Sequence, residues 1–121
     1  MKNTLVLAYL GDAVYEFYIR DYLISQNINN VNDLQKSSLD FVSAKSQRMH
    51  LERLINNSFL TDEELNIVKR GRNAKGGKSK SSDIITYRLA TGLECLIGYL
   101  YLENNHRRIK ELIDFITEGL C

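Results

Sequence analysis

The chain is 121 residues long, 44% hydrophobic and 26% charged, with a net charge of +1. That length supports one modest core, read here as a single domain over residues 1–121, and the composition excludes a disordered chain. No apolar run reaches the ~18–20 residues that span a bilayer, "MKNTLVLAYLGDAVYE" meets an aspartate too early for a cleavable leader, and two cysteines make no disulfide framework, so a cytoplasmic setting is expected.

The sequence has no proline and no strand-like alternation, so every element reads as helix and the fold class is all-α, with about six to seven helices. The first helix is predicted over Thr4–Ser25, with Thr4 as N-cap. It contains "LAYLGDAVYEF", an apolar stretch interrupted by Gly11-Asp12. A polar connection, "NINNVND", leads to a short helix from Asp33 to about Asp40 capped by Asn32. In "SAKSQRMHLERLINN", Met49, Leu51, Leu54 and Ile55 form an apolar helical stripe. Thr61 and Glu64 form a capping box for a helix running to about Arg70. Residues 71–82, "GRNAKGGKSKSS", read as a loop, and Ser82 as the cap of the most hydrophobic helix, "DIITYRLATGLECLIGYLYLE". The last helix, from about His106 to Glu118, is amphipathic and buries Ile109, Leu112, Ile113 and Ile116.

Two carboxylates stand out because their neighbours are apolar. Asp12 follows Gly11 in the first helix, and Glu94 lies in "ATGLECLIGYL" between Gly92 and Gly98. A glycine costs a helix interior about 1 kcal/mol relative to alanine, and a carboxylate in a core is expensive unless it is paired or binds a metal. Glycines inside helices mark close backbone approach. One economical reading is two helices that cross tightly and bring both carboxylates together, an arrangement suited to a hard divalent cation such as Mg²⁺. The plainer reading is that each acid sits at the core boundary or is satisfied by a local hydrogen bond. His50 and His106 are isolated from any second ligand at zinc spacing, and Cys95 reads as a small core hydrophobe.

Charge is unevenly distributed: residues 41–80 carry nine Lys/Arg against four Asp/Glu, and the flanking thirds are acidic. Within that third, "KRGRNAKGGKSK" has six cations, three glycines and no acid. It lacks the preceding strand and the spacing of a nucleotide-binding phosphate loop. Its two readings are a solvated loop and a phosphate-contacting one, since Lys and Arg donate readily to phosphate oxygens.

"LAYLGDAVYE" and "ATGLECLIGYLYLE" resemble the two acidic motifs of the ribonuclease III catalytic domain, in the same order and joined by similar spans, "SLDFVSAKSQ" and "TYRLATGLE". "KRGRNAK" with the Gly/Lys stretch and "TYR" resembles the short Mini-ribonuclease III branch, which lacks the double-stranded-RNA-binding domain. The resemblance implies the ribonuclease III endonuclease-domain helical fold and a Mg²⁺-dependent endoribonuclease, with Mn²⁺ as a substitute ion. It implies cleavage of double-stranded RNA to 5′-phosphate and 3′-hydroxyl ends, in maturation of precursor large-subunit (23S) ribosomal RNA, by a homodimer. Carried onto this chain, Asp12 and Glu94 are the catalytic and metal-binding residues. Arg70, Arg72, Asn73, Lys75, Lys78 and Lys80, with Lys45, are assigned to RNA binding. The family's metal site usually has two further acids, whose positions here hold Ala8 and Thr91. The alternatives are a non-catalytic ribonuclease III-like module that binds RNA or ribosomes and, more distantly, a helical scaffold or DNA-binding protein.

Overall fold

A computed structural model describes residues 3–74 and 83–118. They form six helices: α1 (Thr4–Ser25), α2 (Val31–Val42), α3 (Ala44–Asn56), α4 (Asp62–Arg72), α5 (Ile84–Leu102) and α6 (His106–Glu118). No strand occurs among the described residues, so the all-α expectation holds. The most apolar helix, α5, is the axis of the fold and packs against α1, α3, α4 and α6. Leu93, Leu96 and Ile97 on it are wholly buried and meet Leu7 and Ile19 of α1, Leu51 and Leu54 of α3 and Ile67 of α4 in one core.

With no proline to stop a helix, other residues set the boundaries. Ser58 and Asn104 adopt φ of 52° and 57° just beyond α3 and α5. Behind each the chain doubles back: Phe59 N–H donates to Leu54 O at 3.0 Å, and Asn105 N–H to Leu100 O at 2.9 Å. These left-handed turns satisfy carbonyls that a helix end leaves unpaired. Asn27, with φ of 63°, follows α1 in the same way.

Several predicted boundaries are corrected. The side chain that caps α1 is Asn3, accepting from Leu5 N–H, so Thr4 is already helical. Asn30 rather than Asn32 caps α2, which therefore starts at Val31 and extends to Val42. In α3, Met49 and Ile55 are exposed; the buried stripe is Gln47, His50, Leu51 and Leu54. The capping box of Thr61 and Glu64 is present, but α4 runs two residues further, through Gly71 and Arg72. Ser82, expected to cap α5, lies outside the described residues, and Asp83 caps that helix by accepting from Thr86 N–H. The bounds and buried residues of α6 match expectation.

Two arginines fasten α6 to the rest. Arg108 donates to Glu64 at 2.7 Å and to Phe59 O at 2.6 Å, with its guanidinium over the Phe59 ring. Glu64, only 6% exposed, thus serves its own helix cap and an ion pair at once. Arg108 and the cap hydrogen bonds hold its carboxyl below the usual range against the opposing effect of burial. Arg53 of α3 donates to Phe115 O and Ile116 O, in the last described turn of α6.

The closest helix packing is made by glycine. A Cβ built on Gly11 would lie 1.7 Å from Glu94 O, and one on Gly98 would lie 2.0 Å from Leu7 O. Helices α1 and α5 therefore meet backbone to backbone. A looser version joins α4 to α5, where a Cβ on Gly92 would lie 2.8 Å from Val68 O. Because the obstacle at Gly11 is main chain, Gly11→Ala forces the helices apart. It is expected to destabilise the protein by about 3 kcal/mol, a fall on the order of 10 °C in melting temperature. An unchanged thermal unfolding curve would show that the crossing has slack.

Candidate active site

The α1–α5 crossing sets two acids side by side. Gly11 rests on the Glu94 carbonyl, so the next residue of α1, Asp12, reaches the side chain of Glu94. Asp12 is exposed and Glu94 half-buried. Burial drives the Glu94 carboxyl up to about 8, with further contributions from the negative charge of Asp12 and a hydrogen bond between the two groups; a hydrogen bond from Gln47 opposes them. The convergence expected from the glycine spacing is present in the fold.

This donor set fits a hard divalent cation. Both side chains offer oxygen, and their mutual repulsion is what an ion placed at the pair would relieve. Mg²⁺ takes one or two carboxylates and completes its shell with water and phosphate oxygens. Among the described residues no cluster of three or more His, Cys, Asp and Glu side chains could hold a metal, so the acidic set at this crossing is the pair itself. The two substituted positions add no ligand. Ala8 is buried without an oxygen to offer, and the Thr91 hydroxyl donates to Tyr87 O of its own helix at 3.0 Å.

The expected RNA-contacting residues fall into three groups. Arg70, Arg72 and Asn73 are exposed at the C-terminal end of α4. Between the two arginines, Gly71 is pressed against Thr91, Gly92 and Cys95, the residues around Glu94. This basic helix end is thereby seated on α5, and the positive charge of Arg70 bears on the Cys95 thiol. Lys45 is apart from them, in a groove shared with Asp40, Arg48, Asp83 and Thr86. Lys75, Lys78 and Lys80 lie outside the described residues.

Other polar groups in the core are structural. His50 is fully buried and stacked on Phe41, with Nε2 3.0 Å from Asp40 O and Nδ1 3.0 Å from Arg53 Nη1. Burial keeps its pKa below the ordinary value, against the hydrogen bond to Asp40 O. Cys95 is buried, and its thiol is pushed up to about 11 by desolvation.

Sequence reasoning misses Gln47. It is 2% exposed, and its Nε2 lies 3.5 Å from Glu94 Oε2. A signal for it exists: Gln47, Leu51 and Leu54 follow the i, i+4, i+7 spacing of the buried face of α3.

The ribonuclease III domain family matches residues 5–105. The Mini-ribonuclease 3 of Brevibacillus brevis is 50% identical over 123 residues, covering 98% of this chain and 90% of that protein. That of Enterococcus faecalis is 46% identical over 114 residues, covering 93% and 86%. A crystal structure of a Fusobacterium nucleatum protein superposes with a TM-score of 0.85 at 35% identity, covering 97% of this chain and 94% of that one.

The raised Glu94 pKa has a stability consequence in chelator. The folded state holds this proton up to about pH 8, whereas the unfolded chain releases it at about pH 4.3. The contribution is thus complete below the unfolded value and is lost as pH rises through about 8. Glu94→Gln should remove that loss, leaving the variant more stable than the parent at pH 8.5 by about 2 kcal/mol, a figure reduced for solvent screening. Urea unfolding of both proteins at pH 5 and pH 8.5 checks it; equal pH dependence would refute the buried proton.

Proposed function

The chain belongs to the ribonuclease III family and is an RNA endonuclease, and on that premise we propose that it uses Mg²⁺ to cut double-stranded RNA at the Asp12–Glu94 pair. The observation that carries this reading is the convergence of two carboxylates at a helix crossing where glycines stand in place of side chains. Asp12 and Glu94 would hold the ion, with Mn²⁺ able to replace it. When bound, the ion supplies Lewis-acid activation of water and neutralises charge developing on the phosphate.

The protein's own residues do the rest. Asp12, the exposed member of the pair, would orient water toward the scissile phosphorus and accept its proton. Glu94 is held by the rigid α5. With water as nucleophile and the ribose 3′-oxygen as leaving group, as the family resemblance supports, cleavage would leave 5′-phosphate and 3′-hydroxyl ends. Arg70, Arg72 and Asn73 would contact the RNA backbone, together with Lys75, Lys78, Lys80 and Lys45. Duplex RNA is recognised through its shape, phosphates and 2′-hydroxyls, which suits a basic helix end seated on the same helix that carries Glu94.

A duplex has two strands, so the proposal includes a two-fold homodimer presenting one site to each. Val6, Tyr9 and Phe17 on the outer face of α1, with Tyr101 and Leu102 of α5, are large, apolar and exposed, and they supply a surface for it. The whole chain is read as one cytoplasmic catalytic domain; among the described residues no helix is long and apolar enough to cross a membrane. Family resemblance supports a stem in precursor 23S ribosomal RNA as the substrate. A binding-only module would have no use for a repelling acid pair, and cleavage is what separates the two readings.

Asp12→Asn is expected to reduce cleavage of a duplex RNA in Mg²⁺ by at least about a thousandfold, in line with removal of a group that stabilises the transition state. RNA affinity, measured by gel shift, should stay within about threefold. Normal cutting by this variant would overturn the assignment. Replacing Arg70 and Arg72 by Ala should weaken binding and lower the salt slope by about one to two, at roughly 0.9 for each phosphate no longer neutralised. An unchanged slope would remove these arginines from the interface.

A further inference from the structure

We infer that Gln47 is a positioning residue for Glu94, its buried amide donating to one carboxylate oxygen and fixing how that carboxylate faces Asp12. This rests on the reading above, in which the acidic pair holds the metal.

The geometry is specific. Gln47 is 2% exposed and its Nε2 lies 3.5 Å from Glu94 Oε2, a long hydrogen bond of the kind that tightens when a charged partner forms in a loaded site. Asp12 also approaches Glu94, but it carries the same charge as Glu94 and cannot steady it once both have ionised. The amide can. A buried amide without a partner costs roughly 1–3 kcal/mol, so its direction is set by the need to donate.

The support behind Gln47 is rigid. Its N–H donates to Ser43 O at 2.9 Å, and the Ser43 side chain caps α3 through Ser46 N–H. The Ser46 hydroxyl donates to Leu39 O of α2. One and two turns further along the same face, Leu51 and Leu54 are wholly buried in the core. The helix therefore has no freedom to rotate Gln47 away from α5.

The choice of amide is chemically informative. An arginine or lysine here would neutralise Glu94 and compete with the cation. A third carboxylate would add to the repulsion. A glutamine orients the ligand without changing the charge of the site, and outer partners of this kind are worth roughly 10–100-fold in metal affinity or activity.

The test compares the parent with Gln47→Leu and Gln47→Met, which keep most of the volume and remove the donor. Mn²⁺ binding is titrated without RNA by the loss of its free-ion electron paramagnetic resonance signal. Mg²⁺ dependence of duplex cleavage and melting temperature are measured in parallel. Expected are a roughly tenfold weaker Mn²⁺ affinity and a similar rise in the Mg²⁺ needed for half-maximal cleavage. The KM for RNA should stay within about twofold. Should Gln47→Leu melt well below the parent, Gln47→Met carries the same comparison. Parental Mn²⁺ affinity and Mg²⁺ dependence in a folded variant would overturn the inference. Glu94→Gln separates the two levels. If it loses metal binding and cleavage while Gln47→Leu keeps both, only the role of Gln47 falls. If Glu94→Gln keeps both, the metal-site reading itself falls.

Discussion

Everything in this molecule that bears on chemistry depends on one steric condition, that the backbones of α1 and α5 touch. Glu94 O and Leu7 O occupy the space where side chains of Gly11 and Gly98 would be. Ordinary helix pairs are held about 8–10 Å apart by their side chains, and at that spacing the two short acidic side chains would fall out of each other's reach. Here the residue after Gly11 is delivered to the residue whose carbonyl Gly11 rests on. The raised Glu94 pKa follows from that closeness and from partial burial. The site is thus a product of packing before it is a product of acidic residues.

The same economy recurs on another side of α5. Gly71 and Gly92 seat α4 against the turn that precedes Glu94, and the residues flanking Gly71 are the arginines. Acid and base are carried by different helices but referred to one axis. Arg108 and Arg53 then lock α6 across the assembly through carbonyls and an ion pair, so α5 is gripped along its length. In energetic terms this core gives up side-chain burial at four glycine positions in exchange for placement.

How much of this is legible in the sequence depends on whether the signal is local. Helices α1 and α6 can be read nearly to the residue, because their apolar spacing and polar boundaries lie within the element itself. The capping box at Thr61 and Glu64 is equally local. Its second use, the ion pair with Arg108 across 44 positions, is invisible, since no sequence pattern reports which distant cation arrives. The caps of α1 and α2 are misplaced because Asn3 and Thr4, or Asn30 and Asn32, are chemically equivalent candidates and only the backbone angles choose between them. In α3, ranking positions by hydrophobicity puts Met49 and Ile55 in the core and passes over Gln47. The periodicity that continues through Leu51 and Leu54 puts the glutamine inside. The acids are legible because they break an apolar pattern, and their role also requires resemblance to a family.

The two carboxyls are unequal in exposure, Asp12 open and Glu94 half-covered, and that asymmetry gives the site a direction. Solvent reaches the outer carboxyl freely, whereas the inner one is partly covered by the α1–α5 contact and is approached by the buried Gln47 amide. The crossing is therefore one-sided: one carboxyl of the pair keeps its full contact with water and the other has given up part of it.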